Sequence, residues 1–471
     1  MNNNLWWSPR LVLPQLLLVC AFLLSCTDAS PAAAKKPKVC VIGAGVSGLA
    51  ATRAVSERSD ELDLVAFERN SEVGGLWIYD ESQDKDAHGL PVHSSVYANL
   101  RTNLPGVLMS FFDFPYPADE GGLTCHTHDE FLEQMKKFAD HFDLRKYIQF
   151  DTLVEKVVLV EGNKDDWRSD KWTVITKDLN TDQETAVLCD ALMIGNGHYS
   201  KPRIPTIPNI EKFPGKVMHS HLYRHPEEFK GQTVLILGAG ISGIDISIDV
   251  ATQAKKVYLS HNHDRITAEL PENVEQIRGL RSVDETGKQL ILRDDSRIQA
   301  DAIVFATGYL YDHPFLGPDS GLEFDDNFIY PLYKHMLNAR HPSMALIGAP
   351  LNTAVFPVTY TQSHYFVQLL LGNARLPDYE ARMDEIRSKY RVMTDREKKY
   401  AHSLEDKQWD YERELAKAGG FEVPIDEFAK LYNKWTKFRM QHLLGYKDSR
   451  LELMADGSFK IIGPDGEVWS D

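Results

Sequence analysis

The chain has 471 residues, of which 43% are hydrophobic, 25% charged and 10% aromatic. This is an ordinary globular composition, and it excludes disordered, collagen-like and disulfide-scaffold proteins. The length predicts about two to three domains at roughly 100–200 residues each. Lysine and arginine total 52 against 68 aspartate and glutamate residues, so the net charge is −16. A field of that sign repels phosphate backbones, and we therefore expect no nucleic-acid partner.

The first residues have the pattern of a secretory signal peptide. Arg10 precedes an uncharged, mostly apolar run at 11–24, and the small residue Ala29 offers a cleavage site. The run is short for a bilayer-spanning helix. We therefore expect a signal peptide at 1–29 and a secreted protein without stable membrane insertion; an uncleaved anchor and the endoplasmic reticulum lumen are the alternatives.

Five cysteines are present, and Cys20 and Cys26 belong to the signal segment. Cys40, Cys125 and Cys189 remain, an odd number at wide spacing. We predict neither a disulfide framework nor a metal site from them.

A strand, a glycine turn and a helix are predicted next. The β-branched run at 39–42 leads into GAGVSG at 43–48. The first glycine allows the tight turn, the second lets the backbone approach a pyrophosphate, and the third lets helix and strand pack closely. Glu68, at the end of the following strand, would accept a hydrogen bond from a ribose 2′-hydroxyl and repel a 2′-phosphate. The predicted binding residues of this unit are Gly43, Ala44, Gly45, Val46, Ser47, Gly48 and Glu68.

The same pattern returns where the run at 233–237 leads into GAGISGID at 238–245. No carboxylate follows at the equivalent distance, which favours NADP over NAD, although Asp264 is close by. Ser260, His261 and Arg265 are the available donors for a 2′-phosphate. The predicted binding residues of this unit are Gly238, Gly240, Ser242, Gly243, Asp245, Ser260 and His261.

Two such units predict an α/β fold with two Rossmann-like domains, the NADP domain inserted in the FAD domain. The Pro-rich stretch at 201–215 is the first crossover and 302–308 the second. We expect the FAD domain at 36–205 and 305–471, the latter with a helical C-terminal region, and the NADP domain at 206–304. We predict no separate chemistry for 376–450.

Several motifs resemble those of flavin-containing monooxygenases. They are Phe213-x-Gly215-x₃-His219-x₃-Tyr223-Arg224, Gly74-Gly75-Leu76-Trp77, Leu100-x-Thr102-Asn103, Asp113-Phe114-Pro115 and Phe305-Ala306-Thr307-Gly308-Tyr309. Tyr223 stands where the related Baeyer–Villiger enzymes have Trp. His261 stands where the family often has Arg, and Thr361-Gln362 replaces an acidic residue followed by Gln.

The resemblance implies the activity. NADPH reduces FAD, O₂ adds at the flavin C4a position, and the resulting hydroperoxide oxygenates a soft nitrogen or sulfur. The expected substrates are small amines, alkaloids or thioethers; the chain most resembles secreted insect enzymes that N-oxygenate senecionine-type plant alkaloids, a detoxification reaction. The resemblance further implies that Asn103 is the catalytic residue. It also implies that the cofactors are contacted by Gly75, Leu76, Trp77, Thr102, Asn103, Thr307 and Gly308.

Rival functions need features that this sequence lacks or leaves open. A disulfide reductase needs two neighbouring cysteines beside the flavin, and no such pair is present. An amine oxidase needs only the first glycine-turn unit, so the presence of the second unit argues against it. A secreted flavoprotein that releases hydrogen peroxide from NADPH, or does not turn over, is the alternative. An Asn103 side chain that only stabilises a turn is a second open alternative, and the oligomeric state is open too. The histidines are predicted to be structural and no metal site is expected: His88, His93, His126, His128, His198, His219 and His221.

Overall fold

The computed structural model describes residues 35–117, 124–163, 166–390, 393–454 and 458–469. The predicted signal peptide lies outside the described residues. Two of the sheets in the described chain contain parallel strands, and helices alternate with strands along the sequence, which confirms the predicted α/β class. None of the helices in these ranges is both long and apolar enough to cross a membrane.

The α-helices are α1 (Val46–Ser56), α2 (His128–His141), α3 (Ile241–Ala251), α4 (Val355–Leu370), α5 (Tyr379–Tyr390), α6 (Asp395–Lys398), α7 (Gln408–Gly419) and α8 (Ile425–Gln441). The strands are β1 (Lys38–Ile42), β2 (Asp63–Phe67), β3 (Ile148–Gln149), β4 (Thr152–Glu161), β5 (Lys171–Asp178), β6 (Glu184–Cys189), β7 (Ala191–Ile194), β8 (Lys201–Pro202), β9 (Lys216–His219), β10 (Thr233–Leu237), β11 (Lys256–His261), β12 (Val274–Arg278), β13 (Leu280–Val283), β14 (Leu290–Leu292), β15 (Arg297–Ile298), β16 (Ala302–Phe305), β17 (Tyr309–Leu310), β18 (Glu323–Asp325), β19 (Phe328–Tyr330), β20 (Leu332–Tyr333), β21 (Leu337–Asn338), β22 (Met344–Leu346), β23 (Arg450–Leu453), β24 (Phe459–Ile462) and β25 (Val468–Trp469).

The larger sheet has seven strands in the order β20-β21-β22-β7-β1-β2-β3. β1 lies between β2 and β7, and both neighbours run parallel to it. Every residue of β1 after Lys38 is buried, as expected for a parallel strand covered on both faces. α1 packs against this sheet and against α4.

The smaller sheet has the order β12-β11-β10-β16-β9, and all its strands are parallel. Its strands come from residues 216–305, between the two stretches of sequence that supply the larger sheet. The domain boundaries given above stay predictions.

The two crossovers between the sheets pair with each other. β8 and β17 form an antiparallel pair in which Pro202 opposes Tyr309. The Thr307 hydroxyl donates to the carbonyl oxygen of Arg203 at 2.5 Å, and the Arg203 N–H donates to the Gly308 carbonyl oxygen at 2.9 Å. These hydrogen bonds hold the two crossover segments together.

The Phe213–Arg224 motif extends this fastening. His219 Nδ1 accepts from the His221 N–H at 3.0 Å, so its Nε2 carries the proton and donates to the Gly308 carbonyl oxygen at 3.0 Å. The Tyr223 hydroxyl donates to Asp249 of α3 at 2.6 Å. The fully buried Arg224 guanidinium donates to five carbonyl oxygens, those of Asp80, Ser82, Ser94, His221 and Tyr223. The motif therefore joins the first crossover to α3 and to the loop between β2 and α2.

Cys40 in β1 and Cys189 at the end of β6 form a disulfide across 149 residues of sequence, a pair that could not be drawn from the spacing of the cysteines. Asp190 ends β6 by accepting from the Lys38 N–H at 2.6 Å and from Lys171 Nζ at 2.5 Å. β7 then pairs with β1, and this turn carries Cys189 back to Cys40. Spacing alone could not reveal the pair, because it depends on that pairing. Cys125 is free and buried.

We predict that His219 makes the folded protein less stable in acid, through the binding of one proton. Burial lowers the pKa of His219 to about 4 from the ordinary 6.5. Between these values the unfolded chain binds a proton that the folded chain does not, so stability falls as pH drops from 6.5 towards 4, by about 1.4 kcal/mol per pH unit. Asn keeps an acceptor for the His221 N–H, so His219→Asn should flatten the fall in melting temperature over this range.

Thermal unfolding at a series of pH values measures this effect. His88→Asn, at an exposed position, is the matched control and should retain the wild-type slope. An unchanged slope in His219→Asn would contradict the prediction.

Candidate active site

A cavity of about 790 Å³ lies at the carboxyl end of β1. Gly43 and Gly45 of the first glycine turn line it, and so does Ile241 at the start of the helix of the second unit. Trp77 and Asn103 also line it. Its volume suits an organic cofactor together with a small ligand.

The first glycine turn has the geometry that the sequence predicts. Gly43 has φ +98°, and a Cβ there would lie 2.7 Å from the Gly195 carbonyl oxygen. A Cβ at Gly48 would overlap the Gly43 carbonyl oxygen, whereas one at Gly45 would lie 3.4 Å from the Cα of Gly75. α1 begins at Val46 without a side-chain cap, so its first N–H groups can receive a phosphate. This turn fits a dinucleotide pyrophosphate.

Glu68 is 4% exposed and lines the cavity. One carboxylate oxygen accepts from the Ala44 N–H at 2.6 Å, and the other accepts from the N–H and the side-chain amide of Asn70, both at 2.9 Å. Burial raises the pKa of Glu68, and these hydrogen bonds oppose the rise. The carboxylate is held rigidly at the end of β2, where a ribose hydroxyl would meet it.

The Gly74–Trp77 segment packs directly on the first turn. A Cβ at Gly75 would lie 2.8 Å from the Cα of Gly45, so only glycine permits this approach. The Trp77 ring lies 4.5 Å from the Phe131 ring, and the Leu76 carbonyl oxygen accepts from Ser94 at 2.7 Å. Gly75, Leu76 and Trp77 all line the cavity.

Asn103 and Thr102 have different surroundings. The Thr102 hydroxyl is buried, donates to the Leu104 carbonyl oxygen at 2.8 Å and accepts from the His126 N–H at 2.9 Å. The Asn103 carbonyl oxygen accepts from Trp435 Nε1 at 3.1 Å, while its side-chain amide bonds to nothing within the described ranges. Thr102 therefore makes the turn-stabilising bond, and the Asn103 amide is available at the cavity wall.

The second glycine turn has the same form but is more open. Gly238 has φ +115°, and a Cβ there would overlap the Ala306 carbonyl oxygen; a Cβ at Gly243 would overlap that of Gly238. Gly240 and Ser242 are exposed, and a Cβ at Gly240 would have no neighbour within 4 Å. α3 begins without a side-chain cap, so this turn also fits a pyrophosphate.

The Asp245 carboxylate already has two partners. One oxygen accepts from the Tyr97 hydroxyl and the other accepts from Lys447 Nζ at 2.5 Å. Asp245 thereby joins α3 to the C-terminal region. Thr307 and Gly308, which hold the crossovers together, do not line the cavity.

The predicted 2′-phosphate donors are only partly available. The Ser260 hydroxyl is buried, donates to the Arg278 carbonyl oxygen at 3.0 Å and accepts from the Leu280 N–H at 3.1 Å. His261 is buried, and its Nδ1 has no partner among the described residues. Arg278 of β12 lies opposite His261 in the parallel pairing, and its side chain is exposed. The sequence analysis missed Arg278, because its position depends on the register of β11 and β12.

The C-terminal helices contribute residues that the sequence analysis also missed. Gln408 begins α7, and Tyr432, Thr436 and Arg439 lie at positions i, i+4 and i+7 of α8; all four line the cavity. The region 376–450 therefore contributes to the cavity wall, a role that the sequence analysis did not assign to it. The helical spacing was a usable signal, but nothing local indicated what the helix faces.

Few groups in the cavity can transfer protons near neutral pH. His93 and His198 line it, and burial lowers the pKa of each to about 4, so both are neutral. Across the described residues, no group of three or more His, Cys, Asp or Glu side chains could hold a metal ion. The site is suited to chemistry that bound cofactors carry out.

Comparison with known proteins agrees with this geometry. The family model of flavin-binding monooxygenase-like proteins matches residues 35–273 and 266–423. The chain is 37% identical over 391 residues to the flavin-containing monooxygenase FMO GS-OX5 of Arabidopsis thaliana, covering 79% of this chain and 83% of that protein. The structure of S-allyl-L-cysteine S-oxygenase from Allium sativum has a TM-score of 0.80 at 31% identity, covering 88% of this chain and 95% of that one.

A steroid monooxygenase bound to NADP has the same fold, with a TM-score of 0.54 at 16% identity, covering 82% of this chain and 98% of that one. The matches over most of the chain show the family. The chain belongs to the flavin-binding monooxygenase-like family and is a flavin monooxygenase, an oxidoreductase.

Proposed function

We propose that FAD binds at the first glycine turn, that NADPH binds at the second, and that the enzyme oxygenates a soft sulfur or nitrogen atom of a small molecule. One observation carries the proposal: Gly45 and Ile241, from the two turns, line the same cavity as Trp77 and Asn103. A nicotinamide, a flavin and a substrate can therefore meet in one cavity.

The protein's own residues bind and orient. The N–H groups at the start of α1 and α3 hold the two pyrophosphates, and Glu68 accepts from the flavin-side ribose. FAD supplies the activation of O₂ with electrons from NADPH. Asn103 holds a donor and an acceptor at the cavity wall, and Trp77 packs against Phe131 to close the flavin side.

Sulfur is the first substrate class to test, because the S-oxygenase from Allium sativum covers most of the chain. Tertiary amines, including senecionine-type plant alkaloids, form the second class on the strength of the motif resemblance. The test is a panel of thioethers, tertiary amines and alkaloids, with NADPH loss, O₂ uptake and oxygenated product measured together. Stoichiometric sulfoxide or N-oxide supports the proposal. Hydrogen peroxide without product across the whole panel supports the alternative, a flavoprotein with NADPH oxidase activity.

The assignment of cofactors to turns predicts opposite phenotypes for a matched pair of variants. At both Gly45 and Gly240 an added Cβ meets no steric overlap, so Ala substitution removes only the approach of a pyrophosphate. Gly45→Ala should purify with much less FAD. Gly240→Ala should keep FAD but be reduced slowly by NADPH. Absorbance spectra and stopped-flow reduction measure both, and exchanged phenotypes would reverse the assignment.

We predict that Asn103→Ala uncouples the enzyme. Removal of a preorganised donor in a buried site often costs about 10²–10³ in rate. Reduction by NADPH should continue, while product per NADPH falls and hydrogen peroxide rises. Thr102→Ser, which keeps the buried hydroxyl, is the control. Wild-type coupling in Asn103→Ala would assign the residue to the turn alone.

We predict that Arg278 recognises the 2′-phosphate. A hydrogen bond to a charged group contributes about 1.5–3 kcal/mol, so Arg278→Ala should raise KM for NADPH at least about tenfold. KM for NADH, which lacks that phosphate, should change little. Arg281→Ala, on the next strand along the chain, is the control. An equal change for both nucleotides would contradict this role.

We propose that the mature protein is secreted after cleavage near residue 30. The buried Cys40–Cys189 disulfide supports this, because structural disulfides persist in oxidising compartments. The exported protein should begin near residue 30 and yield a Cys40–Cys189 linked peptide by mass spectrometry without reduction. Cys125→Ala should leave that peptide unchanged. An intact N-terminus and reduced Cys40 in the native host would place the enzyme in the cytosol.

A further inference from the structure

A second cavity, of about 250 Å³, lies between the hairpin of β20 and β21, α5 and the start of α7. Lys334 and His335 of the hairpin line it, as do Lys389 of α5 and Lys407 just before α7. Lys334 and His335 have φ of +47° and +53°, values for which hairpin turns favour glycine or asparagine. Larger side chains held in such a conformation are typical of functional sites.

A chain of hydrogen bonds at the wall of this second cavity fixes the positions of its protons. The Ile329 N–H can only donate, and it donates to His402 Nε2 at 3.1 Å. Burial lowers the pKa of His402 to about 3 and that of His335 well below 6.5, so both rings are neutral. The proton of His402 therefore lies on Nδ1, which is 3.1 Å from Nδ1 of His335. Because His335 accepts at Nδ1, its own proton lies on Nε2.

The next member of the chain is the amine of Lys389, whose Nζ lies 2.7 Å from that Nε2. An ammonium group has no lone pair with which to accept a hydrogen bond, so this geometry requires an uncharged amine. Burial lowers the pKa of Lys389, and the charges of Lys407 and Lys334 lower it further. Glu385 and Glu414 act in the opposite direction. Lys389 is an exposed residue without an ion pair inside the described ranges, so solvent can reach it.

The charges around Lys389 favour an anion over a cation. Each of the three acidic side chains that line this cavity has a partner: Glu414 pairs with Lys334, Asp410 with Arg413, and Glu385 with the Tyr333 hydroxyl. Lys407 has no hydrogen bond or ion pair to any residue that the structure describes. An anion formed at Lys389 Nζ would therefore meet the Lys407 ammonium group and the His335 Nε2–H, whereas a cation would be repelled by Lys407.

We propose that Lys389 is a modification site for carbon dioxide, whose carbamate is stabilised by Lys407 and by the His335 Nε2–H. The nitrogen lone pair attacks the carbon of CO₂, a C–N bond forms and the electron pair of one C–O π bond moves to oxygen. One proton leaves the nitrogen for water. No redox change takes place, so the step needs no oxidant or reductant. This site does not depend on the flavin chemistry proposed above.

The test traps the carbamate as its ethyl ester with triethyloxonium ion. The holoenzyme is equilibrated with isotope-labelled bicarbonate at neutral pH, and peptide mass spectrometry locates the ester. We expect it on Lys389. Lys389→Arg should lose it, and Lys417→Arg, at an exposed position outside the cavity, is the matched control that should retain it. Because the wild-type peptide map locates the ester directly, the test does not require Lys389→Arg to fold.

His335→Asn tests the chain of hydrogen bonds separately. Asn tolerates a positive φ but lacks the imidazole donor that favours the uncharged amine. In the wild type, acetic anhydride at neutral pH should acylate Lys389 at least about tenfold faster than Lys417, because lowering the pKa by one unit raises the uncharged fraction tenfold. His335→Asn should remove most of this difference and reduce the yield of trapped carbamate.

Three results would overturn the proposal. The first is no ester on Lys389 while an added peptide with a free α-amino group is trapped in the same sample. The second is equal acylation of Lys389 and Lys417 in the wild type. The third is reductive trapping of an added small aldehyde on Lys389 without any trapped carbamate, which would make the cavity a site for carbonyl compounds.

Discussion

The hydrogen bonds between the two crossover segments are the constraint on which the rest of the site depends. Two sheets that were connected only by two extended chain segments would be free to rotate relative to each other. The β8–β17 pairing, the Thr307 bond to Arg203 and the His219 bond to Gly308 remove that freedom. Hydride and oxygen transfer need reacting atoms about 3–3.5 Å apart, so the orientation of the glycine turns is a catalytic requirement. The Phe213–Arg224 motif thus mainly holds the two sheets in a fixed orientation, since its side chains bond to backbone and to α3.

Two buried or half-buried arginines show how the same side chain serves two purposes. Arg224 is fully buried without a carboxylate, and five carbonyl oxygens satisfy its donors. Arg224 therefore holds the loop between β2 and α2 in place without a large burial penalty, because these carbonyl oxygens accept hydrogen bonds from its guanidinium. Arg439 has no such acceptors among the described residues and faces a cavity. The protein itself thus satisfies the donors of Arg224, whereas those of Arg439 have no acceptor within the described ranges.

Local pattern was enough for the α/β class and for both glycine turns, because a buried strand, a glycine turn and a helix are encoded within a few consecutive residues. Gly43 and Gly238 have the positive φ that their place in the pattern requires. Features that depend on pairing between distant strands were not accessible. Cys189 meets Cys40 only because β7 returns beside β1, and Arg278 meets His261 only through the register of β12. The helical pattern of 376–450 was visible, but which face of α8 the cavity would use was not.

The Thr361-Gln362 pair departs from the family pattern at a buried position. Hydrogen bonds of Gln362 and a nearby carboxyl group stabilise the structure around it. Gln362 lies under the cavity wall, where its side-chain oxygen accepts from the Gly348 N–H at 2.8 Å and its amide donates to the Tyr411 hydroxyl at 2.7 Å. Gly348 lines the cavity next to Ser47, so Gln362 fixes a segment that touches the first turn. A carboxyl group still lies beside Thr361, because Glu412 of α7 is fully buried there. Burial raises the pKa of Glu412 well above its ordinary value. α7 thus places a carboxyl group beside Thr361, and the C-terminal helices supply Gln408, Tyr432, Thr436 and Arg439 to the cavity wall.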